Sequence, residues 1–369
     1  MKIDRLEIHH VRLPLIKPWR TAYGEDADIE SVLVKAYSGD ASAWVETTPL
    51  AEPTYCNEWA AGVAYTIERV LAPRVVGREW DAPEPLNEML GQFRGNSFAK
   101  AGVDNAWWAL QATLEGVPLH KLLGGEREEI EFGHDFGVED TVEILLAEID
   151  EAVQAGYPRI KLKIKRGWDL EIMRTVRSHW PDFTFHVDCN SGYTLDDLEM
   201  FKQLDKLGLA MFEQPLGNED LADHAELQRQ VGTPVCLDES VRNLWSARQA
   251  IKLGSCQMIN IKPGRVGGLT TAKAVHDLAA EHGIPCWVGG MLESAIGVGI
   301  LVELATLSNF TYPNDVIPSE RLYRQDVTDP VVAASRVAFI PASKTPYTDY
   351  VPNEERIANQ TIRKAVVEG

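Results

Sequence analysis

The chain has 369 residues, with 36 Lys and Arg against 55 Asp and Glu, for a formal net charge of −19. That surplus of acid excludes the basic face that a nucleic acid or an anionic membrane requires, and no run approaches the 18 consecutive apolar residues of a transmembrane helix. The length exceeds what one ordinary core holds and predicts a barrel of roughly 200 residues plus a second domain.

The N-terminus, Met1-Lys2-Ile3-Asp4-Arg5, leads into no long apolar stretch, which predicts a soluble, cytoplasmic protein. Residues 3–46 alternate like strands around a turn at Ser38-Gly39-Asp40 and predict an antiparallel meander. Helical patterns follow over residues 57–71 and 97–114; the second is apolar along much of its surface and ends near Gly116. Residues 1–127 therefore read as a small α+β domain. From Ile130 onward apolar runs alternate with amphipathic patterns such as residues 141–155 and 195–207, which predicts parallel strands with crossover helices through residue 328. Residues 329–369 lose that beat, and we expect them to return to the first domain. The five cysteines are odd in number and form no CxxC pair, which favours free thiols in a reducing compartment.

Within the alternating segment, charged residues close successive apolar runs at near-equal steps. Lys163, Asp188, Glu213 and Asp238 are 25 residues apart, and Lys262 follows after 24. A strand, a helix and two loops take about that length, the repeat of a (β/α) barrel, whose strand ends converge on one mouth. The spacing predicts three carboxylates flanked by two lysines in one pocket. Taken singly, each acid would equally cap a helix or pair with a surface lysine. Three in register would repel by about 4 kcal/mol per pair at 4 Å and an effective dielectric of 20. A divalent cation is the simplest remedy, and oxygen donors without a Cys or His cluster favour Mg²⁺.

Lys161, Lys163 and Lys165 alternate with Leu162 and Ile164, so strand geometry puts all three amines on one face. The opposite face packs under helices in a barrel and is apolar, so the lysines are expected to point inward. At about 7 Å, Lys161 would disfavour charge on Lys163 by roughly 2.4 kcal/mol before the carboxylates pull the other way, a tension that suits a base. Lys262 opens Lys-Pro-Gly-Arg-Val-Gly-Gly; alone this is an ordinary turn, and its glycine pair is weak evidence for a phosphate loop. Two amines across a carboxylate-bound metal suit removal of a proton beside a substrate carboxylate.

These residues resemble the enolase superfamily, which uses a lysine or histidine base with Mg²⁺. The resemblance spans nearly the whole chain: Gly116 to Gly125, Lys161-Leu162-Lys163, Val187-Asp188-Cys189-Asn190, Phe212-Glu213-Gln214-Pro215, Leu237-Asp238-Glu239-Ser240 and Asn260 to Gly268. It implies a modified (β/α)₇β barrel under an α+β capping domain, with Asp188, Glu213 and Asp238 on Mg²⁺, or Mn²⁺ as a substitute, and Asn190 and Glu239 behind them. Lys163 and Lys262 would be the acid/base pair, assisted by Lys161.

A lysine on each side is similar to the muconate-lactonizing subgroup. Gly289-Gly290-Met291-Leu292-Glu293-Ser294 and Arg265 resemble its branch of o-succinylbenzoate synthases, which serve menaquinone synthesis, and N-acylamino acid racemases. The implied substrate is a small carboxylate bound near Asp135, Arg265, Gly290, Met291, Glu293, Trp19 and Tyr55, in a protein that forms homo-oligomers. Asp135 departs from the serine usual in the branch, and an added negative charge there is expected to disfavour a succinyl carboxylate. A cycloisomerase or epimerase acting on another carboxylate is the rival within the subgroup. A noncatalytic metal-binding scaffold would gain nothing from two inward amines.

Overall fold

The computed structural model describes residues 1–21 and 24–369; Ala22 and Tyr23, which belong to the aromatic loop that starts at Trp19, lie outside the described residues. Two sheets organise the chain. Strands β1 (Arg5–Thr21), β2 (Gly24–Ser38) and β3 (Ala41–Thr47) form an antiparallel meander. Alternate positions such as Leu6, Ile8, Val32, Val34 and Ala36 supply its buried face. Seven parallel strands follow: β4 (His134–Phe136), β5 (Ile160–Lys163), β6 (Phe185–Asp188), β7 (Phe212–Glu213), β8 (Val235–Leu237), β9 (Met258–Ile261) and β10 (Cys286–Val288). They pair in chain order and curl into a barrel wall. The last segment, β11 (Thr361–Glu368), pairs antiparallel with β1, giving the first sheet the order β11-β1-β2-β3.

The eighth stave of the barrel is not a regular strand. Residues 310–315 fill its place through isolated parallel bridges, Cys286 with Phe310 and Gly289 with Asp315 on one side, Phe132 with Asn314 on the other. Asn314 makes this possible: its side-chain oxygen accepts from Val288 N at 2.8 Å and its amide donates to Glu131 O at 3.0 Å.

Helix α1 (Ser97–Glu115) runs between the antiparallel sheet and the barrel, and Phe98 to Leu110 is buried almost without interruption. A helix apolar on every side belongs inside a structure. Its two indoles find partners, Trp107 on Trp80 O at 3.1 Å and Trp108 on Thr270 Oγ1 at 2.9 Å. It also caps a barrel helix, α3 (Leu269–Glu281), which follows α2 (Val142–Ala155) in the barrel's outer layer. Asp104 accepts from Thr270 N at 2.9 Å and Asn105 from Leu269 N at 3.0 Å. Gly268 lets the two helices approach: at φ +117°, a Cβ there would lie 2.3 Å from Asp104 Oδ2. A final barrel helix, α4 (Ala295–Ala305), is buried along its whole length. No helix among the described residues is long and apolar enough to cross a membrane.

Candidate active site

Strand period two decides what reaches the barrel mouth. On β5, Ile160 and Leu162 point outward under the helices, while Lys161 and Lys163 point inward, 4 % and 7 % exposed. Lys165 departs from the expected row. The strand ends at Lys163, the chain turns so that Lys165 pairs with Trp168, and its side chain is exposed.

Register explains the ladder and its limit. Lys163 sits opposite Asp188, and Asp188 opposite Glu213. Glu213 then pairs with Cys236, and Leu237 with Ile259. Asp238 and Lys262 therefore stand progressively higher up the wall, as the stagger of a barrel requires. Asn260, which sequence reasoning overlooked, donates to Glu213 Oε1 at 3.2 Å.

Lys163 Nζ bonds Asp188 Oδ2 and Asn190 Oδ1, each at 2.8 Å, and Lys262 Nζ bonds Asp238 Oδ2 at 2.8 Å. Asp238 also takes the Tyr55 hydroxyl at 2.9 Å and an ion pair from Arg265. Lys161 lies among four acids, with Asp315 at 2.5 Å, Asp135 at 3.1 Å, Glu213 at 3.7 Å and Asp188 at 3.9 Å. Lys161, Lys163, Lys262 and Asp188 line one pocket together with Trp19, Tyr55, Asp135, Gly290, Met291 and Glu293. Gly289 lets Asn260 and Lys262 pack close against the next strand: a Cβ there would meet Asn260 Oδ1 at 2.3 Å and Lys262 Cε at 2.7 Å.

Two expectations need correction. Arg265 does not reach this pocket. It is buried behind Asp238 and donates to Val241 O at 2.9 Å and Asn260 O at 2.5 Å, so it holds the wall rather than a substrate. Asp135 does line the pocket, but buried Arg159 pairs with it from behind and Lys161 from the side. Its charge is matched, which removes the ground for expecting a repelled succinyl carboxylate. Burial works against charge on Lys161, yet Asp135, Asp315, Glu213 and Asp188 outweigh burial and hold it well above the usual lysine range.

The carboxylates differ sharply in their surroundings. Burial opposes charge on Asp188, but Lys163 and Lys161 bring it down to about 2. Burial and then Asp188 push Glu213 up to about 8, and the same two causes push Glu239 up to about 7. Burial also carries Glu293 to about 8, and burial with Asp135 carries Asp315 to about 6.

Among the described residues no three acidic, His or Cys side chains converge closely enough to share a cation, because Asp188 and Asp238 turn toward Lys163 and toward Lys262 with Arg265. The donor set still fits one. Glu213 Oε2 and Glu239 Oε2 are buried without a hydrogen-bond partner, an arrangement that a hard cation would relieve.

Asp315, Arg159 and Gln214 also escaped the sequence reading. Gln214 Oε1 accepts from Asp238 N at 3.0 Å and Ser240 N at 3.1 Å, fixing the loop that carries Asp238 and Glu239. Backbone strain gathers in the same place. Of eight non-glycine residues with positive φ among those described, five (Leu50, Asn190, Ser191, Gln214 and Leu292) flank the mouth, the pattern of a functional site.

Comparison with known proteins agrees with this geometry. Residues 5–124 match the mandelate racemase / muconate lactonizing enzyme N-terminal domain, and residues 145–344 the enolase C-terminal domain-like family. The chain is 42% identical over 333 residues to an o-succinylbenzoate synthase of Geobacillus kaustophilus, covering 90% of this chain and 89% of that protein. It is 41% identical over 334 residues to an N-succinylamino acid racemase of Thermus thermophilus, covering 90% of each. The crystal structure of an enolase superfamily member from Listeria innocua superposes with a TM-score of 0.95 at 31% identity, over 100% of this chain and 99% of that one.

Proposed function

This chain belongs to the enolase superfamily, and from that premise we propose that it removes the proton α to a small-molecule carboxylate, as an o-succinylbenzoate synthase, an N-acylamino acid racemase, or both. The observation that carries the reading is the pair Lys163 and Lys262, buried on β5 and just past β9, each bonded to its own aspartate and both facing one pocket. Asp188, Glu213 and Asp238 would hold a Mg²⁺ ion, with Asn190 and Glu239 behind them. Bound there, the ion supplies Lewis acidity and fixed positive charge beside the substrate carboxylate.

The chain's own residues do the rest. Lys161 adds positive charge where the enediolate gathers negative charge. Lys163 Nζ, oriented by Asn190, takes the α-proton. Lys262, across the pocket, returns a proton to the opposite face in racemisation, or stabilises the enediolate electrostatically while a β-hydroxyl departs in dehydration. A cycloisomerase or epimerase acting on another carboxylate stays the second reading, although its ground, the charge of Asp135, is paired with Arg159. The reading has the enzyme acting in the cytoplasm.

The test is incubation with Mg²⁺ in D₂O and a panel of L- and D-N-succinyl and N-acetyl amino acids plus the o-succinylbenzoate precursor, followed by NMR. Deuterium at the α-carbon or dehydration is expected; silence across the panel would overturn the reading. Independently of activity, Mg²⁺ should raise the melting temperature of the wild type and leave that of Glu213→Gln unmoved.

A further inference from the structure

Below the row of Lys163, Asp188 and Glu213 runs a second inward row, in which Asp135 stands opposite Lys161 and Lys161 opposite His186. His186 shares β6 and its inward parity with Asp188, and it is fully buried. No step of the reaction above uses it. Its ring packs edge-on against Trp287, with centroids 5.4 Å apart, and against Tyr312 at 5.6 Å. Nδ1 lies 3.0 Å from the Tyr312 hydroxyl. Nε2 has no hydrogen-bond partner and lies 3.6 Å from Glu213 Oε2, which has none either. A buried polar atom left in that state is uncommon, and two that face each other call for a common explanation.

We propose that His186 is a positioning residue for Glu213: its Nε2–H holds Oε2 from the barrel floor while Asn260 holds Oε1, so that the carboxylate meets a divalent cation in one orientation. The proposal rests on the reading of Glu213 as a cation ligand and adds a residue which that reading does not use. Asn260 already donates to Oε1 at 3.2 Å. A neutral imidazole carries one N–H. With the Tyr312 hydroxyl donating to Nδ1, that N–H stands on Nε2, on the side of Glu213. Closing the gap to hydrogen-bond range takes about half an ångström, which a small rotation of the carboxylate supplies. Lys161, the other group near Oε2 at 3.7 Å, is committed to Asp315 at 2.5 Å. Partners of this kind fix the plane of a ligating side chain, and their loss commonly weakens metal binding by about tenfold to a hundredfold.

Mg²⁺ affinity, measured by titration calorimetry on the full chain, tests this without reference to turnover. His186→Asn keeps a polar group where Nδ1 stands and loses the reach to Glu213, whereas His186→Gln restores an N–H at the reach of Nε2. The Asn variant should bind Mg²⁺ about tenfold or more weakly than the wild type, and the Gln variant within about threefold of it. A merely structural role would lower the melting temperature of both without separating their affinities. Tyr312→Phe keeps the ring and removes only the hydroxyl that fixes the tautomer; it should weaken Mg²⁺ binding by about threefold or more, and it decides the matter should His186→Asn fail to fold. Wild-type affinity in His186→Asn or in Tyr312→Phe, or a loss in His186→Gln as large as in His186→Asn, would overturn the proposal. Absence of Mg²⁺ binding by the wild type would instead bring down the reading of Glu213 as a cation ligand, and this proposal with it.

Discussion

Buried acids occupy two regions of this molecule and are satisfied in different ways. In the seam between the antiparallel sheet and the barrel, backbone N–H groups do the work, joined by the Ser31, Thr48 and Ser294 hydroxyls at Glu46 and the His120 ring at Glu303. Glu46 accepts from Ser294 N and Gly297 N at 3.0 Å each, Glu58 from Phe98 N at 3.2 Å and Ala99 N at 3.3 Å, and Glu303 from His120 N at 2.9 Å and Ser343 N at 2.7 Å. At the barrel mouth, ammonium groups do it instead, and Glu213 and Glu239 each keep an oxygen without a hydrogen-bond partner. A peptide N–H stays where it is, whereas a lysine proton can leave. Acids matched by backbone hold architecture; acids matched by amines, and incompletely, hold exchangeable charge.

The contrast can be broken from either side. The largest effect is expected at the mouth: Lys163→Ala should cut α-proton exchange by about 10³-fold or more while the melting temperature stays near that of the wild type, read by NMR and calorimetry. Lost stability as large as the lost activity would erase the distinction. The seam should behave in reverse. Glu46→Ala leaves the Ser294 and Gly297 amides without an acceptor and should cost about 3–4 kcal/mol of stability in urea unfolding, with the fraction still folded retaining exchange.

Asp104 sharpens the comparison through pH. Burial pushes its carboxyl from 3.8 up to about 6 despite the donors around it. Between those values the native state holds a proton that the unfolded chain has released. Stability should therefore fall as pH rises from about 4 to about 6 and then level off, by roughly 2–3 kcal/mol from this residue. Asp104→Asn should flatten that slope, and an unchanged slope would show that another group sets it. The smallest effect belongs to Lys165→Ala, which should change stability by no more than about 0.5 kcal/mol and leave exchange intact, because the side chain points to solvent outside both regions.

Much of the mouth was legible in the sequence because its signals are local and periodic. The 25-residue spacing from Lys163 to Glu213 works because those residues are true register partners, and the parity of β5 alone sends Lys161 and Lys163 inward. Parity failed at Lys165 because nothing in the alternating pattern marks where a strand stops. Asp315 follows an apolar run too irregular to form a strand, so its rung was invisible although it bonds Lys161. Arg265 looked like a substrate contact because its motif fixes its position but not the backbone carbonyls that consume its guanidinium. Glu46 illustrates the deeper limit: its partner Ser294 lies 248 residues away, and no local pattern encodes that meeting.

The caps on α3 and α4 also bear on how this architecture can be inherited. The first turn of α3 is completed by Asp104 and Asn105, and that of α4 by Glu46, all from the N-terminal part of the chain. Neither helix start is finished by the barrel's own sequence alone. A barrel joined to a foreign first domain would lose part of the capping at both helix starts, and most of it at α3, unless the donor carried acids or amides at the same three places, so the two parts are built as a matched pair.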